Sequence, residues 1–303
     1  MNQTQRRRAR GGHARDRNSR PAPQSTRRRP LPPVEGVFAT LRPELQHAVG
    51  ERGYTHPTPI QAQAIPHLLD GRDLYGCAQT GTGKTAAFAL PLLQHLVGSK
   101  ATRSSGRPNA LILAPTRELA AQIGDSISAY AKHTGITHTV IFGGVGQQPQ
   151  VSALRRGVNI VVATPGRLLD LMRQGALSLD AVGVFILDEG DRMLDMGFLP
   201  DIRRIVRELP SQRQSLLFSA TLPAPIVELA GTIVRDPVRI TIAPEQPAVE
   251  QIDQKVLFVE KQNKINLLTG LLRDSAASRV IVFAQMKHVA NKIAQKLEKA
   301  GIS

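Results

Sequence analysis

The chain has 303 residues, a formal net charge of +15 and a single cysteine, Cys77. This length provides room for about two domains, and one cysteine excludes an intrachain disulfide and fits a reducing compartment. The sequence has no apolar run of about 18 residues and no apolar segment near its start, so neither a membrane span nor a secretory signal is expected.

Residues 1–33 form an arginine-rich arm that we predict to be disordered. The arm contains ten arginines and one acidic residue, Asp16, which gives it a charge of 10 − 1 = +9. A segment this polar cannot bury enough apolar surface to fold. Its charge favours attraction to nucleic-acid phosphates without sequence preference. A solvated tail with no binding role is the alternative.

Two helices are expected after the arm, over residues 41–52 and 61–69. Between them, Pro57 and Pro59 fix an extended turn. The side-chain amide of Gln61 can both donate and accept a hydrogen bond, as recognition of an adenine edge requires. A glutamine at a helix start is more often an ordinary surface residue, so Gln61 alone does not identify a ligand.

A glycine-rich loop between a strand and a helix is the strongest signal in the chain. The strand is expected over residues 73–77, the loop is Ala78–Thr85, and the apolar run 86–90 begins the helix. Such a loop binds nucleotide phosphates through its backbone N–H groups. Lys84 can reach the β- and γ-phosphates, and the Thr85 hydroxyl can hold Mg²⁺. The general pattern has glycine where Ala78 stands, and a chance match in a flexible loop is the alternative.

Beyond the loop, apolar segments alternate with helical ones, which predicts an α/β fold with a doubly wound parallel sheet. Strands that are buried on both faces read as continuous apolar runs, and such runs span residues 109–115, 159–163, 182–187 and 215–218. Helices are expected over residues 116–132, 166–174, 198–209 and 224–235. Pro91 is expected to kink or shorten the helix that follows the loop.

Polar residues follow two of these strands. Asp188, Glu189 and Asp191 come directly after one apolar run, and Ser219 and Thr221 end the next. Open α/β sheets place their ligands at the carboxyl ends of the strands. There, one carboxylate can hold Mg²⁺ and another can activate water. The hydroxyls can hydrogen-bond the carboxylates. The alternative is an ordinary acidic turn, which is common after a strand.

Threonine and arginine occur together at two expected helix starts. Thr116 and Arg117 follow one strand, and Thr164 and Arg167 follow another. The N-terminus of a helix and a nearby arginine suit phosphate groups. Ordinary helix capping is the alternative for both.

Taken in order, these segments resemble the DEAD-box RNA helicases of superfamily 2, over about residues 38–303. The segments that match are Gly53–Gln61 (Q motif), Ala78–Thr85 (motif I, where the family regularly has this alanine), Pro115–Ala120 (motif Ia), Gly143–Gly144 (glycine doublet), Thr164–Arg167 (motif Ib), Asp188–Asp191 (motif II), Ser219–Thr221 (motif III) and Val280–Ala284 (motif IV). The resemblance implies a RecA-like ATP-binding lobe over residues 34–240, a linker over 241–250 and an incomplete second RecA-like lobe over 251–303.

The resemblance further implies an ATP-dependent RNA helicase that uses ATP and Mg²⁺, contacts the RNA backbone with little base specificity and separates short duplexes locally. By this resemblance, adenine is bound by Phe38 and Gln61, and Mg²⁺ is held by Thr85 and Asp188. The phosphates are bound by the loop residues Gln79, Thr80, Gly81, Thr82, Gly83, Lys84 and Thr85. Lys84, Asp188 and Glu189 are the catalytic residues, and Glu189 orients or deprotonates the attacking water. The RNA contacts are Thr116, Arg117, Gly144, Thr164, Gly166 and Arg167, and Asp191, Ser219 and Thr221 couple the nucleotide site to lobe movement.

The sequence departs from the family pattern in three ways. Gly190 replaces the family's alanine in motif II, for which we expect reduced rather than abolished activity. Phe38 lies about two residues closer to the Q motif than is usual. The family's arginine-rich motif does not follow motif IV, and an arginine finger is worth about 10³–10⁵ in turnover in related enzymes. We therefore expect this chain to bind ATP weakly and not to unwind RNA by itself.

Only two strand–helix pairs are expected in the second lobe, with strands over residues 254–259 and 279–284 and helices over 262–273 and 287–299. A catalytically silent protein that binds ATP and RNA is the main alternative function, and a P-loop ATPase acting on DNA or in transport is a weaker one. A cytoplasmic location is expected, whereas the RNA substrate, the protein partners and the oligomeric state do not follow from the sequence.

Overall fold

A parallel β-sheet lies at the centre of the larger part of the chain. The computed structural model describes residues 33–242, 253, 255–273 and 279–302. Its strands are β1 (Leu74–Cys77), β2 (Ala110–Leu113), β3 (His138–Ile141), β4 (Ile160–Ala163), β5 (Val184–Leu187), β6 (Gln214–Ser219) and β7 (Val238–Thr241). They pair in the order β3-β4-β2-β5-β6-β1-β7, and every pair is parallel. The predicted α/β fold with a doubly wound parallel sheet is confirmed.

Helices cover both faces of this sheet. They are α1 (Pro43–Glu51), α2 (Pro59–Leu69), α3 (Lys84–Gly98), α4 (Arg117–Ala131), α5 (Gln148–Arg156), α6 (Pro165–Arg173), α7 (Gly190–Asp195), α8 (Leu199–Arg207) and α9 (Ala224–Ile233), after a short 3₁₀ helix at Gly36–Thr40. Successive strand residues point to opposite faces, so Ile112 and Ile186 belong to one hydrophobic core and Leu111 and Phe185 to the other. All residues of β2, β4 and β5 are buried.

Two edge strands and two helices were not predicted from the sequence. Among the described residues, β3 and β7 each pair with one neighbour only, and most of their residues are partly exposed. A partly exposed edge strand lacks the continuous apolar run by which the central strands are recognised. The helices α5 and α7 were also not predicted. α3 continues through Pro91 to Gly98, so that proline does not shorten the helix.

The chain divides into two compact units between Pro244 and Glu245. The described part of the smaller unit contains a 3₁₀ turn at Lys261–Asn263, α10 (Lys264–Leu272) and α11 (Lys287–Lys299). The arginine-rich arm up to residue 32 and most of the expected linker lie outside the described residues. Their expected boundaries therefore stay predictions.

The prediction of two strands in the smaller unit is wrong for the described residues. Residues 255–260 and 279–284 form no strand there, and Phe258 and Phe283 are 97% and 90% exposed. A strand is maintained by ladder hydrogen bonds to a neighbouring strand, and no such partner occurs among the described residues of this unit. The segment that resembles motif IV is thus not a strand here. Within the described part of the chain, no helix is both long and apolar enough to cross a membrane.

Candidate active site

The glycine-rich loop lies between β1 and α3, at the carboxyl edge of the sheet. Gly81 and Gly83 have φ angles of +88° and +94°, which is the left-handed region that glycine adopts without strain. A Cβ at Gly83 would lie 2.5 Å from Gln61 Nε2. The Ala78 N–H donates to the Ser219 carbonyl (3.0 Å), which ties the loop to the end of β6. The loop is therefore shaped by its glycines and held by its neighbours.

Gln61 connects the proline-fixed turn to this loop. Its side chain is buried, its Nε2 donates to the Gly83 carbonyl (3.1 Å), and its Oε1 accepts from the Thr58 N–H (2.9 Å). Both ends of the amide are thus bonded within the protein in this structure. Adenine recognition by Gln61 stays a prediction, and it would require the amide to exchange at least one of these partners.

Lys84 and Asp188 form a buried pair beneath the loop. Lys84 Nζ lies 4.0 Å from Asp188 Oδ1, and the two side chains are 6% and 3% exposed. Lys84 also donates to the Ala78 carbonyl (3.0 Å), and Asp188 Oδ1 accepts the Glu189 N–H (3.0 Å). Burial raises the pKa of Asp188 to about 6, because the opposing effect of Lys84 is smaller than the loss of hydration.

Glu189 adopts a backbone conformation that is unusual for a residue other than glycine. Its φ angle is +54°, just before α7. Arg192 Nη1 donates to Glu189 Oε2 (3.1 Å), and the Thr80 hydroxyl lies 3.4 Å from Oε1. Such conformations cost about 1–3 kcal/mol and cluster at functional sites. The surrounding contacts therefore hold a nearly buried carboxylate against the glycine-rich loop.

Asp191 joins the end of β5 to the end of β6. Its Oδ2 accepts hydrogen bonds from both the N–H and the hydroxyl of Thr221 (2.8 Å each), and its own N–H donates to Ser219 Oγ (3.1 Å). Burial acts to raise the pKa of Asp191, but the hydrogen bonds outweigh it, so the pKa lies below its usual value. The three residues predicted to couple lobe movement are thus brought into one network.

A cavity of about 230 Å³ lies along the glycine-rich loop. It is lined by Tyr54, Gln61, Thr80, Gly81, Gly83, Lys84, Thr85, Ala86, Leu119, Ser126, Tyr130, Asp188 and Glu189. The backbone N–H groups, the ammonium, the hydroxyls and the carboxylates of this set fit a nucleotide with Mg²⁺. Thr85 and Asp188 are the residues that would hold the metal. Gln79 and Thr82 belong to the same loop but do not line the cavity.

Two tyrosines line the cavity, whereas Phe38 does not. Phe38 is fully buried in the hydrophobic core, and its contact with adenine stays a prediction. Its 3₁₀ helix packs against α1 and α2, which closes the ring off from solvent. Tyr54 and Tyr130 line the cavity instead, with ring centroids 6.4 Å apart. In the sequence, the one signal that Tyr54 lines the cavity is its position within the Gly53–Gln61 segment.

The residues predicted to contact RNA follow three adjacent strands. Arg117 follows β2, Gly144 follows β3 and Arg167 follows β4, and these strands are neighbours in the sheet. Arg117 Nη1 would lie 3.7 Å from a Cβ at Gly144, and Arg167 Nη2 donates to the Val145 carbonyl (3.2 Å). The three strand ends therefore bring the predicted RNA residues to one stretch of the carboxyl edge, where Arg117 is paired with Glu118 (2.6 Å).

The remaining residues of the predicted RNA set belong to the same strand ends. The Thr116 hydroxyl accepts the Leu119 N–H (3.2 Å), so this threonine is also a helix cap, as the alternative interpretation held. Thr164 precedes α6 without a side-chain cap, and the space around the α-carbon of Gly166 is open. A backbone phosphate could approach this helix start closely.

Gly190 begins α7 and lies in a tight environment. A Cβ there would meet Leu187 Cδ2 at 3.0 Å, which is the far end of a flexible side chain. We expect Gly190→Ala to stabilise the lobe by about 0.5–1 kcal/mol through the lower backbone entropy of alanine, and to increase ATP turnover modestly by ordering Glu189. Gly231→Ala in α9, where the space is open, is the control for helix propensity alone. Equal turnover of Gly190→Ala and the parent chain would contradict the expectation.

The fold and the site together define a RecA-like domain that carries a P-loop for nucleotides. The DEAD/DEAH box helicase family model matches residues 58–229, and the chain belongs to that family. It is 44% identical to the ATP-dependent RNA helicase RhlB of Pseudomonas putida over an aligned segment of 268 residues. This segment covers 87% of this chain and 67% of the relative. The chain is 41% identical over 265 residues to the RhlB protein of Shewanella sp. strain MR-4, with coverages of 86% and 60%.

A third relative, the RhlB protein of Pseudomonas aeruginosa, is 44% identical over 268 residues, which is 87% of this chain and 68% of the relative. The chain thus spans about 60–68% of the length of these relatives.

Proposed function

We propose that this chain provides the ATP- and RNA-binding lobe of an ATP-dependent RNA helicase. The observation that supports this most directly is the division of the carboxyl edge. The ends of β5, β6 and β1 carry the nucleotide residues, whereas the ends of β2, β4 and β3 carry the residues predicted to contact RNA. Because β2 and β5 are neighbours, the two sites share one edge and can act on each other.

Each residue has a defined part in this proposal. The loop amides and the Lys84 ammonium bind the phosphates, and Gln61 recognises adenine. Glu189 orients the attacking water or accepts its proton. Bound Mg²⁺, held by Thr85 and Asp188, would neutralise charge on the phosphates. Asp191 transmits the state of this site to Ser219 and Thr221, with which it is hydrogen-bonded.

RNA would be contacted through its backbone. Arg117 and Arg167 supply the charge, while Thr116, Gly144, Thr164 and Gly166 allow close approach to the sugar–phosphate chain. Contacts of this type position the protein without reading the sequence. Local separation of short duplexes by the whole protein, attraction of RNA by the arginine-rich arm, and a cytoplasmic location belong to the same proposal.

The test is ATP hydrolysis by this chain with and without single-stranded RNA. We expect slow turnover that RNA increases and that Glu189→Gln decreases by about 10²-fold or more, the usual range for loss of a general base. Single-stranded DNA of the same sequence is the control ligand. ATP and RNA binding without any Glu189-dependent turnover would favour the catalytically silent alternative.

We expect replacement of Arg117 and Arg167 by alanine to weaken RNA binding equally for different sequences. Each phosphate contact that is lost should decrease the slope of log affinity against log salt by about 1. Fluorescence anisotropy with two RNAs of different sequence measures this. Arg173→Ala is the control, because this exposed arginine at the other end of α6 pairs with Asp170. A sequence-dependent loss would contradict backbone recognition.

A further inference from the structure

Two histidines and a carboxylate meet where α1 lies beside the end of α4. His47 and Glu51 are one helical turn apart on α1, so they share a face. His133 follows α4 and reaches the same point. His47 Nε2 lies 3.6 Å from Glu51 Oε1, and His133 Nε2 lies 3.3 Å from Glu51 Oε2. The two imidazole rings are 4.7 Å apart between centroids. This cluster has no part in the nucleotide or RNA site.

The donor atoms of this cluster have the spacing of metal ligands. All three lie within 4.8 Å of one another. In a tetrahedral zinc site with bonds of about 2.0–2.1 Å, two ligand atoms are about 3.3 Å apart. The two histidine–carboxylate distances, 3.6 Å and 3.3 Å, are close to this separation.

We propose that His47, Glu51 and His133 form a binding site for Zn²⁺ or a similar transition-metal ion, which joins α1 to the end of α4. Two imidazoles and one carboxylate are a donor set that zinc binds, and water can fill the fourth position. Mg²⁺ prefers oxygen ligands, so the Mg²⁺ that accompanies ATP does not compete for this site.

The burial and bonding of the ligands support this inference. The side chains of Glu51, His133 and His47 are 25%, 27% and 45% exposed, so the site is reachable from solvent. His133 Nε2 is buried and faces Glu51 Oε2 at 3.3 Å. A metal ion between these two atoms would be held by both of them.

Lys132 is the competitor of the metal ion. Its Nζ lies 3.0 Å and 2.8 Å from the two oxygens of Glu51. A metal ion would take the place of this ammonium, and the lysine is sufficiently exposed to move into solvent.

The experiment is a titration of the 303-residue chain, without an affinity tag and freed of metal by a chelator, with Co²⁺ and then Zn²⁺. We expect one Co²⁺ site with visible d–d absorption that Zn²⁺ abolishes by displacement. His47→Ala should remove the absorption and weaken Zn²⁺ binding by at least about tenfold, as for other disrupted metal sites. Lys132→Ala should strengthen Zn²⁺ binding.

Three control variants separate this site from others. His67→Ala removes an exposed histidine of α2, Cys77→Ser removes the thiol, and Asp188→Asn alters the nucleotide site. All three should retain the Co²⁺ absorption. Glu51→Gln serves as a second ligand variant, and circular dichroism shows whether each variant is folded. Zn²⁺ should raise the melting temperature of the parent chain but not that of His47→Ala.

The results that would overturn the proposal are equally specific. They are the absence of a Co²⁺ band in the parent chain, an unchanged band in folded His47→Ala and Glu51→Gln, or loss of the band in Cys77→Ser or Asp188→Asn. Weaker Zn²⁺ binding by Lys132→Ala would also contradict it. In that case the cluster is an ion-pair network between two helices.

Discussion

Asp188→Asn is expected to increase the free energy of unfolding by up to about 3 kcal/mol at pH 8. Burial raises the pKa of Asp188 from 3.8 to about 6, and each unit of pKa is worth about 1.4 kcal/mol. Above pH 6 the folded chain must hold this carboxylate charged while it is buried. Asparagine keeps the shape and the oxygen that accepts the Glu189 N–H, but it removes the charge.

The pH dependence of this effect has a defined sign. Between pH 3.8 and about 6 the folded chain binds more protons at Asp188 than the unfolded chain. The contribution of this group to stability therefore falls as the pH rises through that range. The difference between Asp188→Asn and the parent chain should be largest at pH 8 and should shrink toward pH 4.

Urea unfolding followed by circular dichroism at several pH values measures this difference. Asp195→Asn is the matched control, because it makes the same charge change at an exposed position near the end of α7. Equal or lower stability of Asp188→Asn at pH 8 would contradict the expectation. A more stable variant that has lost Mg²⁺-dependent hydrolysis would indicate that Asp188 is retained for chemistry at a cost in stability.

Lys84→Ala is expected to weaken ATP binding by about 10- to 100-fold. Hydrogen bonds to charged groups are worth about 1.5–3 kcal/mol, and Lys84 is the buried cation of the nucleotide cavity. The change also removes the positive charge beside Asp188, so the pKa of that carboxyl should rise above about 6. An uncharged Asp188 would bind Mg²⁺ poorly, which adds to the loss.

Equilibrium titration with a fluorescent ATP analogue and Mg²⁺ measures the affinity. Lys296→Ala, at an exposed position of α11, is the control for the loss of one positive charge. Lys84→Gln, which retains length and polarity, should bind ATP nearly as weakly. Unchanged affinity in folded Lys84→Ala would show that the glycine-rich loop does not bind ATP phosphates as proposed.

The sequence by itself determined the elements of the sheet that are buried on both faces. β2, β4 and β5 were predicted because helices cover both of their sides, which requires a continuous apolar run. The glycine-rich loop was predicted because its backbone conformation demands glycine at Gly81 and Gly83. These signals are local: each one is written in a few consecutive residues.

Features that depend on a distant neighbour could not be predicted in this way. The edge strands β3 and β7 lack a covered second face, and the strands expected at 254–259 and 279–284 have no ladder partner among the described residues. The burial of Phe38 through packing of its 3₁₀ helix against α1 and α2 was also not predicted.

The candidate site likewise combines features that the sequence predicts with features that only the tertiary structure decides. The sequence placed polar residues at the carboxyl ends of strands, which is where such sheets bind ligands. Only the tertiary structure decided that β3, β4 and β2 are neighbours, so that Arg117, Gly144 and Arg167 form one surface. It also brought His133 to His47 and Glu51. The reason is that strand pairing and helix packing join residues far apart in the chain, and no local pattern records which partners meet.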